Sequence, residues 1–133
     1  MKAVRIWAVF LAVVFLLTGC SSDSETKVAD LDYTVVADQE IPQELASVIE
    51  EKRSGDFRLT YSTSDALYLV CGYGAQETGG YSIQVKEFYL TENTIVLDTE
   101  LIGPDTTEEG ESEGSEPVIV IKTALREEPV VFR

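Results

Sequence analysis

The side chains that could carry out covalent or metal chemistry are few in this sequence. Its 133 residues include two cysteines and no histidine. Nucleophilic catalysis needs an activated serine, threonine or cysteine beside a base, which is usually histidine, and a zinc site needs several cysteine or histidine ligands. The 24 acidic residues are so numerous that no carboxylate pair stands out. We therefore predict a chain that is not an enzyme, with no catalytic residue, no metal centre and no cofactor.

One cysteine has a recognisable chemical context. Cys20 ends the sequence Leu17-Thr18-Gly19-Cys20, which closes a leader with a basic start and an uncharged stretch of twelve residues, 6–17. This stretch is typical of a secretion signal, because a bilayer span needs about twenty apolar residues. Its end resembles the lipobox of bacterial lipoproteins, in which the cysteine thiol receives a diacylglyceryl group. The resemblance implies that residues 1–19 are removed and that Cys20 anchors an extracytoplasmic protein to the membrane. An uncleaved N-terminal anchor would place the protein on the same side.

The second cysteine, Cys71, follows the apolar residues 67–70. If Cys20 is lipidated, Cys71 has no partner for an intramolecular disulfide. We expect it to be a small buried hydrophobic residue.

The strong acidity of the chain excludes one class of partner. The formal net charge is −14, and removal of a leader that contains Lys2 and Arg5 makes the mature chain two units more negative. Binding to a phosphate backbone requires a basic surface, so nucleic acid is not expected as a partner. The acidity favours solubility and repulsion from an anionic cell surface, or a basic protein partner or divalent cations.

The remaining chain has the length of a polar tether and one small domain. Residues 20–32 are predicted to form a flexible, lipidated tether, and residues 33–133 the folded domain. An amphipathic helix is predicted from Ile41 to Gly55, because apolar residues recur at helical spacing along one face. These residues are Ile41, Leu45, Val48 and Ile49.

The rest of the domain is predicted to be mostly β-structure. A short β-branched run lies at 33–36, and six strands follow the helix. The fold class is therefore α+β, with one amphipathic helix packed on a mostly antiparallel sheet of about six strands. The six predicted strands are Phe57–Tyr61, Leu67–Tyr73, Tyr81–Leu90, Thr94–Leu101, Val118–Leu125 and Val130–Phe132.

Two strands carry more specific information. The alternation of apolar and polar residues that begins at Tyr81 slips by one position before Phe88, which predicts a β-bulge near Glu87. Residues 118–121 are all apolar, as in a central strand that is covered on both faces.

An acidic segment separates two of these strands. Residues 103–116 contain six acids and no lysine or arginine, so we expect a solvated loop. The spacing does not match the Asp-x-Asp-x-Asp-Gly pattern of a calcium loop, although weak cation binding remains an alternative.

The segment 72–83, GYGAQETGGYSI, is the candidate partner-binding loop. Four glycines flank two tyrosines between two predicted strands. The simplest interpretation is a hairpin turn whose glycines permit positive φ. Loops on rigid sheets also carry binding functions, and glycines beside aromatic rings form a smooth surface for a partner. The candidate binding residues are Tyr73, Gln76, Thr78, Gly79, Gly80 and Tyr81.

This segment, with 101–104 and 117–122 after it, resembles the PrcB C-terminal domain family over residues 57–132. Members of that family carry a G-x-x-P-T-G-G-Y-S-I type segment and a later P-Y-x-V-V-K type segment. The sequence departs from these patterns at Glu77, where proline is frequent, and at Val118, where an aromatic residue is common. The resemblance implies an extracytoplasmic role in association with, or in stabilising, a secreted or surface protease, and it implies no enzymatic activity.

The functional hypothesis is therefore a membrane-anchored protein-binding module whose partner is a protein and plausibly a protease. One alternative is a lipoprotein that binds the cell envelope, through peptidoglycan, a sugar or a receptor. Another is a protease-inhibitor-like module, because the Thr-Gly-Gly-Tyr sequence at 78–81 resembles a loop of chagasin-type inhibitors.

Overall fold

The computed structural model describes residues 26–104 and 113–133. The predicted signal peptide 1–19, tether residues 20–25 and most of the acidic segment, 105–112, lie outside the described residues. Among the described residues, no helix has the length and apolar character needed to cross a bilayer.

The described residues form eight β-strands, one α-helix and a short 3-10 turn at Asp38–Glu40. The helix, α1, is shorter at both ends than predicted, and Pro42 precedes its first turn instead of lying inside it. In chain order the elements are β1 (Ala29–Asp30), β2 (Thr34–Val35), α1 (Gln43–Lys52), β3 (Asp56–Ser62), β4 (Ala66–Tyr73), β5 (Ser82–Leu90), β6 (Ile95–Ile102), β7 (Val118–Ala124) and β8 (Val130–Phe132).

The α+β class and the single helix are confirmed, but the strands form two sheets instead of one. Sheet 1 has the order β1-β5-β6-β8, and sheet 2 has the order β2-β7-β4-β3. All neighbouring strands are antiparallel except β6 and β8, which are parallel. The single-sheet prediction was wrong because β4 and β7 are apolar on both faces. One helix covers only one face of such strands, so a second sheet covers the other.

The main core lies between the two sheets. Leu69 of β4 and Ile121 of β7 are fully buried there against Leu97 of β6. The remaining buried members of this core are Leu67, Cys71, Phe88 and Ile95.

A second core lies between α1 and the opposite face of sheet 2. Leu45 and Ile49 of α1 pack there with Tyr68 and Val70 of β4 and Val120 of β7. Since β7 contributes residues to both cores, the prediction of a central covered strand at 118–121 is confirmed.

The predicted β-bulge near Glu87 is also confirmed. The pairing of β5 with β6 shifts register between Val85 and Glu87. As a result, Val85 and Phe88 both face the core between the sheets, although they are three residues apart.

The end of the predicted tether is ordered against the domain. Ala29 and Asp30 pair with Leu90 and Tyr89 of β5, and Leu31 packs against the main core. Residues 29–31, which the sequence assigned to the tether, therefore contact the folded domain. The unpaired edge of β5 offers backbone hydrogen bonds to a polar segment that has little apolar periodicity of its own.

Candidate functional site

The Gly-rich loop, residues 74–81, connects the two sheets. It leaves β4 in sheet 2 and enters β5 in sheet 1, so it is not the turn of a two-stranded hairpin. Gly74 and Gly80 have positive φ values of 77° and 87°. The expectation that glycine permits positive φ in this loop is met at these two positions, which redirect the chain between the sheets.

One side of the Gly-rich loop is bound to residues at the C-terminal end of the acidic segment. The Gln76 N–H donates to the Ser115 carbonyl at 2.8 Å, and the Ser115 N–H donates back to the Gln76 carbonyl at 3.1 Å. The Ser115 hydroxyl also donates to the Thr78 carbonyl at 2.7 Å. A Cβ on Gly114 would lie 2.7 Å from the Gln76 carbonyl oxygen, so the two backbones approach closely here.

The other side of the loop contacts residues at the N-terminal end of the acidic segment. A Cβ on Gly80 would lie 3.0 Å from Cβ of Pro104, and one on Gly103 would lie 3.4 Å from the Tyr81 ring. The Gly-rich loop is thus held from both sides and has few conformations available to it.

Two candidate binding residues use their polar groups inside the domain. The Tyr73 hydroxyl hydrogen-bonds the Thr99 hydroxyl at 2.6 Å across the two sheets, and the Arg58 guanidinium lies 4.5 Å from the Tyr73 ring centre. The Gln76 amide donates to the Tyr73 carbonyl at 3.1 Å. These contacts give Tyr73 and Gln76 a structural role at the base of the loop.

The remaining candidates form the outer surface of the loop. Thr78, Gly79 and Tyr81 are half-buried, and Gly80 is exposed. Glu77 is also exposed and is the one charged side chain of the loop. The six predicted residues therefore fall into two groups. Tyr73 and Gln76 form the base of the loop, and the other four, with Glu77, form its outer rim.

Two further residues, not predicted from the sequence, shape this site. Arg58, on β3, donates from Nη1 to the Gly72 carbonyl at 2.8 Å, and Ser115 holds the loop through three hydrogen bonds. The register of β3 with β4 places Arg58 opposite Cys71, beside the start of the loop. No local pattern predicts a contact between residues that lie so far apart in the chain.

Comparison with protein families identifies the part of the chain that contains the Gly-rich loop. Residues 67–124 match the family described as PrcB C-terminal. This segment forms a PrcB C-terminal domain. The match runs from the second residue of β4 to the end of β7 and includes the whole Gly-rich loop. Comparison with curated proteins gives no significant match, and neither does comparison with solved structures.

The matched segment is shorter than the range 57–132 over which the sequence resembles the family. It excludes α1, β3 and β8, which the structure packs onto the PrcB C-terminal segment. The family pattern therefore covers the two central strands of sheet 2, the two central strands of sheet 1 and their connections.

Removal of the Tyr73 hydroxyl is expected to weaken the link between the sheets. In Tyr73→Phe the Thr99 hydroxyl, on a residue that is 8% exposed, loses its 2.6 Å partner. We expect the free energy of unfolding to fall by about 1–2 kcal/mol, the typical cost of a buried polar group without its partner. Urea unfolding measures this change, with Tyr61→Phe as the control, because the Tyr61 hydroxyl bonds the exposed Glu44. Equal losses in the two variants would contradict the structural role of Tyr73.

The expectation that Cys71 is buried is confirmed. Cys71 is 1% exposed and lies in the core between the sheets. Burial raises the pKa of its thiol, and the nearby Arg58 charge and Thr99 hydroxyl only partly offset this effect. The thiolate is the reactive form, so the native environment suppresses its chemistry.

Cys71 is accordingly expected to resist thiol reagents until the domain opens. In a Cys20→Ala chain Cys71 is the single thiol. A disulfide reagent at pH 8 should label it at least about 100-fold more slowly in the native protein than in urea, because the reaction waits for local or global opening. Equal native and denatured rates would show that Cys71 is accessible.

Carboxylates in the described part of the chain are dispersed. Between residues 26 and 104 and from 113 onward, no group of three or more histidine, cysteine, aspartate or glutamate side chains could hold a metal ion. Glu116 pairs instead with Arg53, at 3.4 Å from Nε. Cation binding by the acidic segment stays an untested alternative, since most of that segment lies outside the described residues.

Proposed function

We propose that this chain is a non-catalytic lipoprotein that Cys20 anchors outside the bacterial membrane, and that its domain binds a protein partner through the Gly-rich loop. The proposed partner is a secreted or surface protease, which is the role that the resemblance to the PrcB C-terminal family implies. The domain would associate with the protease or stabilise it.

The observation that carries this proposal is the fixed conformation of the Gly-rich loop. Gln76 and Thr78 are hydrogen-bonded to Ser115 on one side, and Gly80 abuts Pro104 on the other. A loop that is ordered before binding loses little conformational entropy when a partner docks. Glu77, between Gln76 and Thr78, is exposed and can contact a partner without rearrangement of the loop.

Charge supports a partner with a basic docking surface. Glu77 is exposed on the rim of the loop, and the chain carries a net charge of −14. Complementary charge accelerates encounter between proteins and suppresses the wrong partners. A basic patch on the protease surface would provide this complementary charge.

The geometry gives less support to sugar binding. A sugar site at this loop would use the free face of Tyr73 and the free amide of Gln76. Arg58 lies against that ring, and the amide is bonded to the Tyr73 carbonyl. The groups that a ligand could contact on the outer rim are Glu77, part of Tyr81 and the neighbouring backbone. Such a surface is better suited to a protein than to a sugar.

Co-purification from crosslinked cells tests the proposal. Glu77→Arg reverses an exposed charge on the loop, and Tyr81→Ala removes the half-buried aromatic residue at its end. Each variant should recover at least about tenfold less protease than the unchanged chain, because it alters the central contact surface.

Glu92→Arg is the matched control. Glu92 is also exposed but lies in the turn after β5, about nine residues along that strand from the loop. It should retain the partner in full. If Glu77→Arg and Glu92→Arg behave alike while both remain folded, the loop is only a connection between sheets. A protease assay on the recovered complex distinguishes stabilisation from inhibition.

A further inference from the structure

A groove lies between α1 and the edge of sheet 2, apart from the outer rim of the Gly-rich loop. Its volume is about 470 Å³. Apolar side chains from α1, the turn before it and β7 line the groove, and charged side chains lie at its rim. The apolar lining includes Val36, Ile41, Ile49, Val118 and Val120.

The wall of this groove is an incompletely paired strand edge. The Val36 N–H donates to the Val120 carbonyl at 2.9 Å, so Val120 points its backbone groups toward β2. The Tyr73 N–H donates to the Pro117 carbonyl at 3.2 Å, so Pro117 points toward β4. Because backbone groups alternate along a strand, the N–H and carbonyl of Val118 point away from β4 and into the groove.

No segment of the described chain pairs with Val118 on that side. After Val36 the chain turns away through the 3-10 turn into α1. Within residues 26–104 and 113–133, Val118 has no backbone hydrogen bond outside its own sheet ladder, and its register partner Gly72 faces β3. One donor and one acceptor of β7 are therefore available to another strand.

The rim of the groove favours a basic ligand. Asp38 and Glu50 are exposed at the rim. Arg53 is the cation there, but Glu50 contacts it at 2.6 Å and Glu116 at 3.4 Å. Its charge is thus balanced inside the domain, and the rim is acidic overall.

We propose that this groove binds an extended segment of a partner protein by β-strand addition. The segment pairs its backbone with Val118, inserts an apolar side chain beside Ile41 and Ile49, and carries lysine or arginine residues that face Asp38 and Glu50. Main-chain hydrogen bonds then provide affinity, and the apolar pocket and the acidic rim provide specificity. A second copy of this acidic chain fits poorly, because its charge would oppose that of the rim.

The test uses a labelled peptide and the full chain purified from cells in detergent micelles. The probe is acetyl-Lys-Lys-Val-Leu-Val-Lys-Lys-amide, which combines β-branched and apolar residues with basic ends. We expect saturable binding by fluorescence anisotropy and slower hydrogen exchange of the Val118 amide in the complex. N-methylation of the peptide at its central residues should weaken binding at least about tenfold, because it removes backbone donors. Replacement of the four lysines by glutamates should abolish binding.

Two protein variants locate the peptide. Ala46→Tyr fills the groove from α1, whereas Ser47→Tyr places the same side chain on the exposed face of the helix. The first should abolish binding and the second should preserve it. The proposal is overturned if N-methylation has no effect, if both variants bind equally, if no peptide binds, or if the chain proves to pair with itself at this edge. Glu77→Arg should leave peptide binding intact, so this result is independent of the function proposed for the Gly-rich loop.

Discussion

The Gly72→Ala variant should unfold at a temperature about 10 °C lower than the unchanged chain. Gly72 lies in β4, the central strand that pairs with both β3 and β7. A Cβ at this position would overlap the ring of Phe57, with Cδ1 only 2.6 Å away. Phe57 is half-buried and packs against the core beneath α1, so displacement of its ring removes apolar contacts from that core. Overpacking of this kind costs about 3 kcal/mol, which corresponds to the expected shift in a domain of this size.

Gly55→Ala is the matched control for this prediction. The nearest atom to a Cβ on Gly55 is the Lys52 carbonyl oxygen at 3.9 Å, and its φ is not in the positive region. This variant should unfold within about 2 °C of the unchanged chain, because surface substitutions without strain have small effects. A second variant, Gly72→Ala with Phe57→Leu, should recover part of the lost stability. Equal unfolding temperatures for Gly72→Ala and Gly55→Ala would contradict the close approach at Phe57.

Cys20→Ala should release the protein from the membrane fraction or stop its processing. The proposed anchor consists of acyl chains on the thiol of Cys20, and each buried CH2 group contributes about 0.8 kcal/mol to membrane attachment. Alanine offers no atom for acylation, so the variant should lose nearly all membrane attachment or retain the predicted 19-residue leader. Fractionation of cells and intact mass spectrometry measure the two outcomes.

Cys71→Ala controls for the loss of a cysteine as such. Cys71 is buried between the sheets, where lipid transfer has no access. This variant should remain in the membrane fraction with its mass reduced only by the sulfur. An unchanged membrane fraction and an unchanged mobility for Cys20→Ala would contradict lipidation.

The elements of the fold could be predicted from the sequence because their signals are local. The apolar positions of α1, the slipped alternation in β5 and the continuous apolar run in β7 are each visible within about ten residues. The division into two sheets depends on which strands pair across long distances. Apolar faces on both sides of β4 indicate two covering layers, but they do not specify that the second layer is a sheet.

The candidate site could be predicted in part for the same reason. The glycines and tyrosines of the loop are visible in one segment of sequence. The contacts that fix the loop come from Ser115, Pro104 and Arg58, which the topology brings to it from elsewhere. Tyr73 and Gln76 therefore looked like binding residues in the sequence, whereas the structure uses their polar groups within the domain.

Photo-crosslinking in intact cells can show whether the Gly-rich loop contacts a protease. A photoactivatable residue replaces Glu77 on the exposed rim of the Gly-rich loop, and in a second strain it replaces Glu92, which is exposed in the turn after β5. We predict a discrete adduct with a secreted or surface protease from position 77 and none from position 92. Absence of an adduct from position 77, or the same set of adducts from both positions, would contradict this prediction.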